Sequence, residues 1–442
     1  MSHYKPYPAY KDSGVEWLGR VPDHWEALTL RRVVAAVKTG GTPSSESPSA
    51  DIPDGVAWYT PGDFGSEMVL EAAGKRVSRT AISTGDVKVF PAGSILVVSI
   101  GATLGKVGFV AEEVSANQQI NVVIPNARVD GYFLAYSLSV KTEAMWYLAN
   151  AATIGIMNQE KTKDIWLAIP SIGEQKSIAT HLDRETARID ALIEKKTRFI
   201  ELLREKRQAL ITQAATRGLD PSVKMKDSGV EWLGEVPEHW EVRSVSSVST
   251  KITNGYVGPT RDILVEEGVR YLQSLHIKGN QIKFDVPYFV TKDWSNQHRK
   301  SILETGDVLI VQTGDIGQAT VVTDEFAGCN CHALIIVAPE RSIIWGEWMS
   351  WVFNSSYGYH TLLSIQTGAM HPHLNCGNVK DVLLPVPPLT EQLEIVKHIE
   401  HEERRVAALA GKTERSIELL KERRSALITA AVTGQIDLRE AA

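Results

Sequence analysis

Short apolar runs rich in β-branched residues, each closed by glycine or proline, mark two stretches of this chain. They are Ile95–Val98, Val107–Val110 and Ile120–Ile124 in the first, and Val308–Val311, Ala319–Val322 and Leu334–Val337 in the second. Such runs predict buried strands. Aromatic and aliphatic residues recur at helical spacing over Gly131–Ala149 and Trp345–Leu363, which predicts helices beside those strands. After each stretch comes a proline-marked segment, IPSIGEQ from Ile169 and VPPLTEQ from Val386, and the pattern changes. Leu182, Ile189, Lys196, Leu203 and Leu210 stand at one heptad position, with Ile178, Glu185, Leu192, Phe199 and Lys206 at the other. Further on, Ile399, Val406, Thr413, Leu420 and Leu427 repeat the first position, and Ile395, Glu402, Leu409, Ser416 and Arg423 the second. The pattern predicts two long amphipathic helices forming a coiled coil with each other rather than each lying on its own head. From Glu174 to Gln213 the first would span ~60 Å at 1.5 Å per residue. Antiparallel pairing is expected, with a head at each end of the rod.

The same division shows that the chain is one unit written twice. KDSGVEWLGRVPDHWE at Lys11–Glu26 returns as KDSGVEWLGEVPEHWE at Lys226–Glu241, differing only at Arg20/Glu235 and Asp23/Glu238. IELLREKRQALITQAAT from Ile200 returns as IELLKERRSALITAAVT from Ile417, whereas the loops between these ends have diverged. A scaffold kept constant around two different centres suits two different readers. The expected fold is α+β, with two mixed heads and two long antiparallel helices in an internal pseudo-two-fold repeat. Its segments are expected at 1–171 (first head), 172–217 (first helix), 218–388 (second head) and 389–437 (second helix).

Composition narrows the class. A chain of 442 residues with 43% hydrophobic and 23% charged residues can bury at least two cores. No apolar run approaches the ~18 residues of a membrane span, so no membrane role is expected and the cytoplasm is the expected compartment. All three cysteines, Cys329, Cys331 and Cys376, lie in the second half, which argues against a disulfide framework. A net charge of -6 excludes a protein that grips nucleic acid through a broad basic surface, so any DNA contact must be local or shared with a partner.

The order GGTP (Gly40–Pro43), VAWYTPGD (Val56–Asp63), IGATLGKVGFV, NQQ, IPSIGEQKSIATHLD and LLREKRQALITQAATRG, repeated more loosely with VPPLTEQLEIVKHIE, resembles the specificity subunit of type I restriction-modification systems. The resemblance covers nearly the whole chain, and PPL-x-EQ with its following helix is its most specific part. Ser171 stands where the second copy has Pro388. The resemblance implies two target recognition domains, each reading one half of a bipartite asymmetric site on double-stranded DNA. It also implies helices that set the spacing and dock two modification (adenine methyltransferase) subunits, with restriction/translocase subunits joining the complex. No cofactor is expected in this chain; S-adenosylmethionine, ATP and magnesium belong to the partners. The chain itself is expected to be non-catalytic. The other reading of the pattern is a coiled-coil assembly protein whose heads bind protein.

Candidate DNA contacts lie in loops of small polar and basic residues, because Asn and Gln can pair with adenine, Arg with guanine and Lys with phosphate. In the first head these are Lys38, Thr39, Thr42, Ser44, Lys75, Arg76, Arg79, Asn117, Gln118, Asn158, Gln159, Lys161 and Lys163. In the second they are Asn254, Tyr256, Arg261, Gln273, His276, Lys278, Arg299, Lys300, His371, His373, Asn375 and Lys380. Met157 and Met370 sit in matching Gly-x-Met contexts, marking equivalent loops. Cys329, Cys331, His332, His371, His373 and Cys376 have zinc-binding chemistry, but their spacing matches no standard finger and the first head has no counterpart, so buried thiols and loop histidines are expected. In EWLG-x-VP-x-HWE, the residues Glu16, Trp17, His24 and Trp25, with Glu231, Trp232, His239 and Trp240, suit packing better than catalysis. GATLGK at Gly101–Lys106 is one residue short of a phosphate loop and reads as a strand turn.

Overall fold

The computed structural model describes residues 4–65, 67–149, 155–368 and 372–439. The chain divides into two compact units, Met1–Lys196 with Arg415–Ala442, and Thr197–Glu414. Each holds one head and a part of both long helices.

In the first head, Val34–Thr39, Ile120–Pro125, Ile95–Val98 and Val107–Phe109 lie side by side in that order as an antiparallel sheet. All six predicted strand runs form. Their apolar residues are continuous rather than alternating because both faces of the sheet are covered. Ile95 and Val97 face a core shared with the helix Gly131–Ser139, and Leu96 and Val98 face the three-stranded sheet of Val56–Tyr59, Val114–Ala116 and Arg76–Val77. The second head repeats this with Ser249–Asn254, Leu334–Pro339, Val308–Val311 and Ala319–Val321. Val308 and Ile310 face one core, and Leu309 and Val311 face the other. The predicted helical stretches each split in two, at Gly131–Ser139 and Thr142–Ala149, and at Gly346–Asn354 and Ser356–Ser364. Ser355 makes the second break: it is extended, and its hydroxyl accepts from the Gly358 amide to start a new helix.

The long helices run Ile172–Arg217 and Leu389–Val432, 46 and 44 residues, or about 69 and 66 Å. In each unit they are antiparallel. Ile178 and Leu182 of one share a core with Leu427 and Ala431 of the other in the first unit, and Ile211 and Ala214 share one with Ile395 and Ile399 in the second. One heptad position is as expected, with Leu182, Ile189 and Leu203 buried. The other holds at its start, where Ile178 is buried, and farther along lies one residue later than the sequence suggested. Ala179, Thr186 and Ile200 are buried, while Leu192 and Phe199 are 40% and 43% exposed. The apolar stripe is wider than the seam, and hydrophobicity alone does not mark which edge of it faces the partner helix. Arginines at matched positions make ion pairs between the helices, Arg424 to Asp190 (3.0 Å) in the first unit and Arg207 to Glu403 (2.5 Å) in the second, although the two carboxylates are not at matched positions.

Each head is tied shut at the start of its helix. Glu26–Thr29 pairs with Trp166–Ile169, and Glu241–Ser244 with Leu383–Val386, so the strand that follows the lead-in lies beside the last strand of each head. Beyond them, the carboxylate of Glu174 accepts from Trp25 Nε1 (3.2 Å) and Tyr7 Oη (2.7 Å) and meets His24 Nε2 (3.0 Å). Glu391 takes Trp240 Nε1 (3.0 Å) and His239 Nε2 (2.7 Å) in the same way. The neighbouring Gln175 and Gln392, both fully buried, bond the backbone around Arg128, Asp130 and Pro170, and around Ile343, Trp345 and Pro387. Packing is therefore right for Trp25 and Trp240, which are fully buried. It is not right for Trp17 and Trp232, which stand 49% and 58% exposed.

Replacing Glu174 by Ala strands two buried donors and is expected to cost about 3 kcal/mol in urea unfolding, with Glu174→Gln costing less; an unchanged midpoint would refute the joint. Lys141 gives a pH-dependent test. It is 8% exposed, its ammonium lies 4.9 Å from the Trp17 ring, and burial pulls its pKa from 10.5 to about 8. The folded pKa is below the unfolded one, so the penalty is full below about pH 8 and fades as pH rises to 10.5. Lys141→Met is expected to stabilise by about 1–3 kcal/mol at neutral pH, with the gain shrinking above pH 8; a pH-independent difference would contradict this.

Candidate nucleic-acid interface

In both heads one end of the four-stranded sheet gathers the loops that carry candidate contacts. In the first head the Val34–Thr39 strand runs into Gly40 and Gly41, whose amides donate to Ile120 and Ala116 carbonyls at 3.0 and 2.8 Å. A Cβ on Gly40 would collide with the carbonyl oxygens of Ala116 and Asn117, so glycine is required there by close backbone approach. In the second head Gly255 occupies the equivalent place. Its added Cβ would lie 2.6 Å from the Cys331 carbonyl oxygen, and its amide donates to Leu334 at 2.8 Å.

Around Gly40 the structure assembles Thr39, Thr42, Gln118, Asn158 and Gln159. The Gln159 amide meets the Thr39 hydroxyl at 3.0 Å, Thr39 donates to Asn121 at 2.9 Å, and Thr42 donates to Gln118 at 2.5 Å. Thr42, Gln118 and Asn158 are exposed, as is Lys38 one position back along the strand. Asn158 also caps the short helix Gln159–Lys163, accepting from the Lys161 amide. Lys161 is turned to the Ala149 carbonyl (3.1 Å) and Lys163 to Glu160 (2.8 Å). Asn117 is buried and braces its own turn through Gln119. Ser44 and Ser45 close a loop by donating to Asp86, whose carboxyl they hold well below the usual range.

Lys75, Arg76 and Arg79 stand apart, on the edge of the three-stranded sheet. Arg76 donates to the Gly55 carbonyl. Trp58 joins the two groups, with its indole on the Gly41 carbonyl and its amide on that of Lys75. Lys88, whose ammonium lies 3.3 Å from the Thr39 carbonyl, joins this candidate cluster. A lone loop lysine carries no sequence signal.

The second head fills the equivalent place with rings. Tyr256 follows Gly255, and its ring meets those of Trp294 and His298 edge-on at 5.1 Å each. Trp294 and His298 stack at 3.9 Å, and Tyr271 Oη meets His332 Nδ1 at 3.2 Å. Burial lowers the His332 pKa, favouring the neutral ring. Only the tertiary fold brings Trp294, His298 and His332 to Tyr256, so no local sequence pattern marks them as candidates. Asn254 is near, accepting from the Cys376 thiol at 3.0 Å. Asn375 caps the helix Cys376–Val379, and His373 pairs through its backbone with Thr367. Lys278 is exposed beside the turn whose Gly279 amide donates to Gln318, and Arg261, Arg299, Lys300 and Lys380 are also exposed. The Gln273 amide donates to His276 Nδ1. His276 is fully buried, with Nε2 on the Val286 carbonyl, and so faces the interior instead of solvent. His371 and Met370 lie outside the described residues. Met157 is buried, its amide on Ser99.

Cys329 and Cys331 are buried and Cys376 is half-buried. Burial raises all three thiols, Cys329 to about 11, which favours the protonated form. Among the described residues no group of three or more His, Cys, Asp and Glu is placed to hold a metal, and no helix is long and apolar enough to cross a membrane.

The sequence profile of the type I restriction modification DNA specificity domain matches residues 22–202 and again 237–419. The chain is 21% identical over 313 residues to the EcoBI specificity subunit of Escherichia coli, covering 69% of this chain and 66% of that one. It is 20% identical over 385 residues to the MjaVIII specificity subunit of Methanocaldococcus jannaschii, covering 86% of each. Among solved structures it is similar to a chain from a study of complex assembly and conformational transition of the type I R-M system. That match has TM-score 0.72, 15% identity and coverage of 94% and 99%. It is also similar to the HsdS subunit of Thermoanaerobacter tengcongensis, with TM-score 0.57, 16% identity and coverage of 94% and 98%.

Gly40→Ala and Gly255→Ala are each expected to destabilise their own head by about 1–3 kcal/mol through the carbonyl clash. Chemical unfolding followed by fluorescence reads this out; two unperturbed transitions would show that the close approach is not needed.

Proposed function

The chain belongs to the family of type I restriction-modification DNA specificity domains and carries two of them, and from that premise we propose that each head reads one half of a bipartite, asymmetric DNA site. A specificity subunit recognises DNA and leaves catalysis to other chains. The observation that carries the finer reading is the contrast between the two sheet ends. One backbone arrangement, pinned at Gly40 and Gly255, displays Thr39, Thr42, Gln118 and Gln159 in the first head and Asn254, Tyr256 and His332 in the second. Small hydroxyls and amides suit hydrogen bonding to base edges, while rings add apolar contact suited to thymine methyls. Equal frames with unequal side chains make an asymmetric target. Lys38, Lys75, Arg76, Arg79, Lys88, Arg261, Lys278, Arg299, Lys300 and Lys380 then serve as phosphate contacts that fix register.

In this reading the working segments are 1–171 and 218–388 as target recognition domains, and 172–217 and 389–437 as the helices that fix the half-site spacing. Two modification subunits dock on those helices and bring S-adenosylmethionine, and restriction/translocase subunits bring ATP and magnesium. A net charge of -6 fits a chain that shares its grip on DNA with such partners.

Co-expression of the full chain with its modification subunit, followed by sequencing for methylated adenine, tests the reading. A gapped asymmetric motif is expected; an ungapped motif, or methylation without a motif, would refute it. Exchange of residues 27–165 for the head of another specificity subunit should change one half-site only, and a change in both would defeat the division of labour.

A further inference from the structure

The duplicated lead-in Lys11–Glu26 and Lys226–Glu241 has the same pattern of buried, half-buried and exposed residues at all sixteen positions. Folding accounts for most of what is kept. Leu18, Val21 and Trp25, with Leu233, Val236 and Trp240, are buried. Gly14, Gly19, Gly229 and Gly234 have φ of 72, 65, 71 and 67°, where a side chain is disfavoured. Asp12 and Asp227 accept from the Gly14 and Gly229 amides at 2.9 and 3.0 Å, and His24 and His239 meet Glu174 and Glu391.

Folding does not account for Glu16–Trp17 and Glu231–Trp232. Both pairs are exposed, and among the described residues neither glutamate makes a hydrogen bond or ion pair. The Trp17 ring has one face over the Lys141 ammonium at 4.9 Å, and among the described residues Trp232 meets no such cation. A single exposed apolar side chain is ordinary on a protein surface, but an exposed indole repeated in the same setting offers the broad amphipathic face that interfaces favour. These two are kept identical in heads whose DNA-facing loops have diverged.

We propose that Glu16–Trp17 and Glu231–Trp232 are a duplicated docking epitope for two identical copies of one protein partner. Each copy offers an indole-sized apolar pocket rimmed by a basic side chain to meet the glutamate. Two different partners would have let the ledges diverge as the loops did, and one partner met twice holds both to one shape. Leucines on the helices follow the same rule. Leu192 and Leu419 in the first unit, and Leu409 and Leu202 in the second, are exposed at matched positions. Each unit therefore carries one ledge and one member of each matched leucine pair, and the second unit adds the exposed Leu393, which has no leucine counterpart in the first. The proposal rests on the reading that two modification subunits dock on this chain and adds to the helices a second point of attachment.

The test uses the full chain with the purified modification subunit of its own system, counting bound copies by native mass spectrometry. The unaltered chain should hold two. Trp17→Ala or Trp232→Ala should each weaken one copy by roughly tenfold or more, giving one bound copy where the unaltered chain holds two, and the double variant should weaken both. Glu16→Lys and Glu231→Lys should act in the same direction, and Trp→Phe should retain part of the binding. Unchanged melting of each variant separates docking from folding. Two copies held with unchanged affinity by the double variant would overturn the epitope while leaving the specificity function standing. An unaltered chain that recruits none would overturn both.

Discussion

One carboxylate in each unit holds the parts together. Glu174 sits where the first long helix begins and receives the indole of Trp25, which ends the lead-in to the head. The same indole lies 3.3 Å from the position a Cβ would take on Gly434, at the end of the second helix. Glu391, Trp240 and Gly218 make the equivalent set in the second unit, with 3.2 Å between the Gly218 Cβ position and the indole. Each tryptophan thus meets the start of one helix and the end of the other. Head orientation, helix phase and chain turn are fixed by one side chain filled on all sides. A buried charge of this kind is tolerable only when its lone pairs are used, and Glu174 uses its own on three donors. The carboxylate specifies the joint, and the apolar packing around Trp25 supplies most of the burial energy.

With the joint constant, the far end of each sheet is free to vary. Only the backbone crossing at Gly40 and Gly255 must be preserved, since no Cβ fits there. Beyond it, the first head builds its surface from threonine hydroxyls and glutamine amides, and the second from a tyrosine, a tryptophan and histidines. Both are supported from behind by the same two-faced sheet, so the readers differ in chemistry while their mounting does not.

Much of this was legible in the sequence, and the reasons are physical. Runs such as ILVV and VLIV announce strands buried on both faces because no polar residue interrupts them. The repeated HWE and EQ segments announced a shared scaffold, though not that they bond to each other across about 150 residues. The helices were predicted, but their second seam position only at its start, at Ile178 and Ile395. Leu192 and Phe199 are as apolar as true seam residues, and the small Thr186 that occupies the seam gave no signal. Among the candidate contacts, several loops gather at one sheet end while some of their residues turn inward. His276 and Asn117 have the right chemistry and face inward. Trp294, His298, His332 and Lys88 reach the site only through tertiary folding, and no local pattern marks them.

The error over Leu192 and the surprise at Trp17 have one cause. An amphipathic pattern counts apolar residues without saying what covers them. Residues that fold the chain and residues that bind another chain therefore look alike until exposure is known. In a duplicated protein, exposure and repetition together separate the two. A residue repeated and buried serves the fold, as Trp25 and Trp240 do. One that varies at the surface would serve a different target in each copy, the role proposed for the exposed Gln118 and the half-buried Tyr256 cluster. One that is exposed and still repeated answers to something outside the chain that is the same at both places. Glu16–Trp17 and Glu231–Trp232 fall in that third class, and the net charge of -6 gives the class its importance. In the proposed function a chain of this charge shares its grip on DNA with its partners, and the repeated ledges offer them equivalent points on its two units.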